Sequence, residues 1–408
     1  MTSERVVLIG ASHAANSVIE TLKKERFSGR LTLISEEKIP LHSPTALPYL
    51  LERAKGKAFE LRPLDFYRGM ELIEAKALGI EPEKGRVVLT GRKKISYDRL
   101  VIATGASARL PLIETSKRHP ILTLRRIEDL RRIEEKSRRS SKILILGAGL
   151  IGLHLAQIFS QAKKKVHVIE IREQILPGRV PARLAHRLMK LYEGRGVRIS
   201  LGVHLEELGE KEAKLSSGER ISVDLAIATT GIRPNRDLAD GSLIAAGEGI
   251  RVNEKMETSL PGIYACGDVA EYRDFFSDER RLNPNLVSAV EGGRCVAAAI
   301  LGKPDPHPGW ISVNTFRCFG FDLVSLGRID ADVEDRVFEE PDLLGGGYKQ
   351  MVFRNGRLKG LACFNTPLDS GLFYRLLRER VLLEGEEERL FRDPLHFGKV
   401  LAQRVFKT

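Results

Sequence analysis

The chain has 408 residues, 42% of them apolar, enough for two or three domains with real cores. Its four cysteines (Cys266, Cys295, Cys318, Cys363) lie far apart, with no CxxC pair and no metal-ligand spacing. Disulfides and zinc are therefore not expected, and a reducing cytoplasm is the default. The formal net charge is +12, and the stretch from Arg109 to Arg233 concentrates it, with 25 Lys and Arg against 14 Asp and Glu. Such an excess steers an anionic ligand or an acidic partner protein. Nucleic acid, the rival reading, finds no helix-turn-helix pattern, aromatic platform or zinc finger to support it. No segment reads as a signal peptide or membrane span; the longest apolar run, Ile143 to Ile158, is interrupted by His154.

In chain order, Arg5 to Ile9 predicts a buried strand that breaks into Gly10-Ala11-Ser12-His13-Ala14-Ala15. A helix to about Lys24 follows, then a strand over Leu31 to Ile34 and the acids Glu36 and Glu37. This is a degraded GxGxxG, with Ser12 and Ala15 in place of the second and third glycines. Tyr97 to Gly105 predicts a strand ending in the small-residue turn Ala103-Thr104-Gly105. Arg125 to Arg139, where basic and acidic residues interleave, reads as a solvated helix face and as a possible docking patch.

Lys142 to Glu170 is the fullest motif. A strand over Ile143 to Leu146 runs into Gly147-Ala148-Gly149-Leu150-Ile151-Gly152, a helix extends to about Ala162, and a strand over Val166 to Ile169 delivers Glu170. Gly147 permits the tight turn, Gly149 close approach to a pyrophosphate, and Gly152 close packing of the helix on the sheet. Glu170 stands where an acid accepts hydrogen bonds from ribose hydroxyls and repels a 2′-phosphate, so NADH is favoured over NADPH. Ala228 to Asn235 repeats the strand-and-turn design around Gly231, and Gly262 to Val269 is a third strand ending in Gly267-Asp268. Asp268 reads as a ribityl acceptor or as a helix N-cap. Asn283-Pro284-Asn285-Leu286 reads as an N-cap with proline at the first helical position, opening a helix through Ile300. Beyond Pro306, strands over 310–316, 323–328, 348–353 and 358–364 mix with helices over 371–383 and 393–405. Asn355-Gly356 forms a hairpin turn, and Glu384 to Glu388 a solvated loop.

The order GASHAA, ATG, GAGLIG, TTGIRPN, YACGDVA resembles the FAD-dependent pyridine nucleotide-disulfide oxidoreductase superfamily. The resemblance is nearest to its nitrite reductase, rubredoxin reductase and NADH oxidase branch. It implies an α/β fold with two Rossmann-like nucleotide-binding domains. An FAD domain (1–108 and 234–305) would be split by an inserted NAD domain (109–233), and an α+β dimerisation domain (306–408) would build a homodimer. It further implies that Gly10, Ser12, His13, Ala14, Ala15, Pro44, Thr45, Ala103, Thr104, Gly105 and Gly267 line the FAD. Glu37, or else Glu36, would take its ribose, Ala77 its adenine and Asp268 its ribityl chain. The helix opening at Asn285 and Leu286 would present its positive dipole end to the flavin. Gly147, Gly149, Leu150, Ile151, Gly152, Glu170 and Gly231 would hold NAD.

Two departures shape the expected chemistry. Disulfide reductases carry a CxxxxC pair on the first helix, which here has no cysteine. Single-cysteine members read Cys-Ala-Leu-Pro-Tyr, where this chain has Thr45-Ala46-Leu47-Pro48-Tyr49. A threonine hydroxyl cannot serve as a redox thiol. His154 replaces a glutamate common two residues after the GxGxxG; it orients the carboxamide or responds to pH on one reading, and is packed on the first helical turn on the other. His13 and His42 flank the flavin site as possible proton relays. The expectation is an NADH-dependent FAD oxidoreductase passing electrons to an acidic carrier such as rubredoxin or ferredoxin, or to a small acceptor. The alternatives are an NADH oxidase, a coenzyme A disulfide reductase, and a flavoprotein subunit or redox-sensing module active only with a partner reductase.

Overall fold

A computed structural model of the chain describes residues 3–39, 43–52, 60–115, 120–343 and 346–406; His42 lies outside the described residues. In chain order the main elements are β1 (Arg5–Ile9), α1 (His13–Lys24), β2 (Arg30–Ser35), β3 (Glu71–Glu74), β4 (Arg99–Ile102), α2 (Ile127–Arg138), β5 (Lys142–Leu146), α3 (Leu150–Gln161) and β6 (Lys165–Glu170). They continue with α4 (Ala182–Glu193), β7 (Val197–Leu201), β8 (Leu225–Ala228), β9 (Ile263–Ala265), α5 (Leu286–Ile300), β10 (Val313–Cys318), β11 (Phe321–Gly327) and β12 (Arg336–Leu343). The last are β13 (Gly347–Arg354), β14 (Arg357–Phe364), α6 (Ser370–Arg378), α7 (Glu387–Arg392) and α8 (His396–Val405).

The chain folds as two compact units, one formed by Met1–Ser107 with Ile232–Trp310, the other by Ala108–Gly231 with Ile311–Thr408. The first is built on a parallel sheet in the order β9-β4-β1-β2-β3. Its central strands read as unbroken apolar runs because both faces are covered: Val6, Val7, Leu8 and Ile9 are all buried. Helix α1 lays Ala14, Ala15, Val18, Ile19 and Leu22 against that core. Helix α5 packs on α1, and so closely that a Cβ on Gly293 would lie 2.4 Å from the Ala14 carbonyl oxygen.

The second unit carries a parallel sheet ordered β7-β6-β5-β8 and an antiparallel sheet ordered β10-β11-β14-β13-β12. In α4, Leu184, Ala185, Leu188 and Tyr192 fall on one face and are buried. The β13–β14 hairpin turns on Asn355 and Gly356 at φ +49° and +68°, the left-handed pair of a type I′ turn.

Three expectations are corrected here. Asn285 rather than Asn283 caps α5: its side chain accepts from the Ser288 N–H, Pro284 lies before the helix, and Asn283 instead donates to Ser288 Oγ. The helix expected over 371–383 stops at Arg378, because Arg380 turns to φ +50° and the chain leaves αR. Glu384 to Glu388 is not a solvated loop throughout: Glu387 opens α7 and is buried, while Glu386 pairs with Arg404. Strand β12 was not expected, since Glu339 and Glu340 interrupt its apolar alternation.

Candidate active site

On the first unit, the expected FAD residues converge at the C-terminal ends of β1, β4 and β9. Gly10 takes φ +101°, and a Cβ there would lie 2.1 Å from the Ala103 carbonyl oxygen, so only glycine lets β1 turn beside β4. Gly267 brings the β9 loop to the other side, where its Cβ would meet Ala14 Cβ at 3.0 Å. Asn235 ties down the Ala103–Gly105 turn: its Nδ2 donates to the Thr104 carbonyl, its N–H to the Gly105 carbonyl, and its own carbonyl accepts from Thr104 Oγ1. Helix α1 begins at Ser12 with no side-chain cap and no acid in its first turn. Its leading amides are thus left for a ligand, which fits a pyrophosphate at that end. At the end of β2 the Ser35 hydroxyl donates to the Glu37 carbonyl, with Glu37 half-buried and Glu36 exposed. The Ala75 N–H bonds the Ser35 carbonyl, which places Ala77 two residues from that corner. Leu286, at the start of α5, is 41% exposed.

His13 is the second focus. Its Nε2 lies 2.9 Å from Ser43 Oγ, and Ser43 Oγ lies 2.9 Å from Thr45 Oγ1. Pro44 opens the 3-10 turn Pro44–Ala46, whose N-cap Ser43 makes no capping bond. Burial pushes the His13 imidazole below its ordinary range; the Asp268 carboxylate works against that shift and the Arg62 guanidinium adds to it. His13, Thr45 and Asp268 are thus brought into one neighbourhood. Neither Ser43 nor Asn235 is among the expected site residues, because the contacts that matter, Ser43 to His13 and Asn235 to Thr104, join positions 30 and 131 residues apart.

On the second unit, Gly147 takes φ +100°, and Thr229 holds it: Thr229 Oγ1 donates to the Leu146 and Gly147 carbonyls at 3.0 Å each. A Cβ on Gly152 would lie 2.0 Å from the Gly147 carbonyl oxygen, whereas one on Gly149 would meet nothing within 4 Å. Gly149 is also the uncapped N-cap of α3, again with no acid in the first turn. The loop therefore offers open space and free amide donors where a pyrophosphate would sit. Leu150 is half-buried, Ile151 is 43% exposed and Gly231 is exposed at φ +104°. Glu170 is buried, with one carboxylate oxygen accepting the Ala148 N–H at 2.7 Å and the other the Arg172 N–H at 3.0 Å. It braces the glycine turn through these two backbone amides.

His154 is buried, its ring edge-on to Phe316 of β10 at 5.6 Å between centroids. Further along α3, Gln157 Oε1 accepts the Phe319 N–H at 2.8 Å. Phe319 itself lies against the Tyr192 ring and beneath the Arg195 guanidinium. The dinucleotide-type helix is thus buttressed from its far side by the C-terminal sheet.

All four cysteines are buried and free. Burial raises every thiol, Cys266 and Cys363 to about 12 and Cys295 and Cys318 to about 11. Such thiols stay protonated and are poor nucleophiles. Among the described residues no cluster of His, Cys, Asp and Glu could hold a metal, and no helix is long and apolar enough to cross a membrane.

Residues 4–293 match the pyridine nucleotide-disulphide oxidoreductase family. The chain is 26% identical to the epsilon subunit of the NADH-dependent phenylglyoxylate dehydrogenase of Aromatoleum evansii, over 99% of this chain and 98% of that one. It is 32% identical to an NADH oxidase of Methanocaldococcus jannaschii, over 73% and 70% respectively. The solved ferredoxin reductase of Rhodopseudomonas palustris superposes with a TM-score of 0.83 at 25% identity, covering 89% of this chain and 91% of that one. The chain therefore belongs to the pyridine nucleotide-disulphide oxidoreductase family and is an NADH-dependent FAD oxidoreductase.

Proposed function

We propose that the chain delivers the electrons of NADH, through FAD, one at a time to an acidic protein carrier of the rubredoxin or ferredoxin kind, with no thiol in the path. The observation that carries this reading is Thr45 in the place of a redox cysteine, together with four buried cysteines whose thiols are all held protonated. FAD accepts a hydride and releases electrons singly, a chemistry that belongs to the cofactor. The chain's own part is to bind and orient. Gly10, Ser12, His13, Ala14, Ala15, Ala103, Thr104, Gly105, Gly267 and Asp268 would cradle FAD, with Glu37, or Glu36, and Ala77 at its adenosine end. Gly147, Gly149 to Gly152, Glu170 and Gly231 would hold NADH, with His154 packed behind them. The basic excess between Arg109 and Arg233 suits an acidic carrier. We place the protein in the cytoplasm and assign it a homodimer.

The full-length likeness to a dehydrogenase subunit favours a second reading, in which the carrier is the iron-sulfur or catalytic subunit of a complex. A panel of acceptors tests both. Under anaerobic conditions NADH should bleach the yellow protein, and ferredoxin or rubredoxin should restore the colour while coenzyme A disulfide does not. Measurable thiol release from coenzyme A disulfide overturns the proposal. Bleaching without reoxidation by any free carrier selects the subunit reading.

A further inference from the structure

We propose that His13, Ser43 and Thr45 form a proton relay on the FAD-binding unit, which takes up the one proton that NADH-to-carrier electron transfer leaves behind. The inference rests on the carrier reading above. Oxidation of one NADH by two one-electron carriers yields NAD⁺, two reduced carriers and one proton, so that proton needs an exit. The three groups stand in series, His13 Nε2 to Ser43 Oγ to Thr45 Oγ1, each step 2.9 Å. This is the heavy-atom separation at which protons pass along a hydrogen-bonded chain.

Three features favour a relay over a simple pin for the Pro44–Ala46 turn. Ser43 occupies the N-cap of that turn but makes no capping bond; its hydroxyl is instead committed to His13 on one side and Thr45 on the other. A hydroxyl used once as donor and once as acceptor is what a relay needs. Next, the two ends differ. Thr45 is exposed, whereas His13 is half-buried at the start of α1, three residues beyond Gly10. Finally, the groups facing His13 suit a proton store. Asp268, from the loop after β9, favours the imidazolium, while Arg62 and burial keep the ring neutral at rest. With the resting ring neutral, Nε2 accepts from Ser43, which accepts from Thr45. As a proton reaches Thr45 Oγ1, Thr45 passes its own to Ser43 and Ser43 passes its own to His13 Nε2. The imidazolium then returns a proton to water.

The test uses the full-length, FAD-loaded protein labelled with ¹⁵N-histidine, and compares Ser43→Ala, Thr45→Val and Thr45→Ser. In the relay, Thr45→Val moves the His13 titration midpoint even though no bond joins Thr45 to His13 directly, and Thr45→Ser restores it. A His13 titration indifferent to Thr45→Val overturns the relay, and this arm reads out whether or not any carrier is ever reduced. In the kinetic arm, carrier reduction shows a measurable solvent deuterium isotope effect in the native protein. Ser43→Ala should slow that step roughly tenfold or more and abolish the effect. An isotope effect unchanged in Ser43→Ala reduces the three groups to a pin for the turn.

Discussion

Thr45 presents a hydroxyl where a thiol path would need sulfur, and the four thiols the chain does possess are all buried. The same burial acts on histidine. His167 in β6 is buried beside Ser200 Oγ, and desolvation, with the Arg198 charge adding to it, lowers its imidazole to about 4. Its folded-state value lies below its ordinary 6.5, so it is neutral in the fold at every pH where an unfolded chain would begin to protonate. Its effect on stability is therefore nil above pH 6.5. Between pH 6.5 and about 4 the unfolded state binds the extra proton, and the fold loses up to about 3 kcal/mol. Urea denaturation at pH 7 and pH 5 should show about 2 kcal/mol of this loss in the native protein and a smaller loss in His167→Gln. An equal pH dependence in both would remove His167 as the cause.

The two strand–glycine–helix elements make separable predictions. Gly152→Ala puts a methyl 2.0 Å from the Gly147 carbonyl oxygen and so breaks the turn ahead of α3. That variant should purify yellow yet resist bleaching by NADH. Gly10→Ala, with its methyl 2.1 Å from the Ala103 carbonyl oxygen at φ +101°, should purify colourless, as absorbance at 450 nm will show. Loss of FAD from Gly152→Ala would contradict the assignment of the two motifs to two cofactors.

These elements were legible in the sequence because each is local: an apolar run, a turn only glycine can make, then an amphipathic helix. β1 and α1 fall where the pattern puts them, and β5, α3, β2 and β6 within a residue or two. The start of α5 was misread since Asn283 and Asn285 both flank Pro284, and choosing between two such caps takes the Ser288 contact. Partners distant along the chain were invisible. His154 meets Phe316, Gln157 meets Phe319, and His13 meets Ser43 only once the sheets are assembled. Sequence could name His154 and His13 as unusual but not say what each would touch.

For the whole molecule, the charge pattern is the feature an acidic carrier would meet. A net charge of +12, concentrated between Arg109 and Arg233, should raise its encounter rate by long-range attraction. Raising ionic strength from about 0.01 to 0.3 M shortens the Debye length from about 30 Å to under 10 Å. kcat/KM for ferredoxin should then fall roughly tenfold, while that for an uncharged dye should change little. A salt-independent kcat/KM for ferredoxin would mean that contact surfaces other than the basic one decide the encounter.

Electron exit without sulfur is the claim on which the rest depends, and alkylation of the NADH-reduced protein tests it most directly. N-ethylmaleimide added anaerobically after NADH should leave the native mass unchanged, and carrier reduction should persist at its original rate. Guanidinium should then expose four reactive thiols, matching the four free cysteines. A single adduct that forms only after NADH is added, and that abolishes carrier reduction, would contradict the account and place one of those cysteines in the electron path.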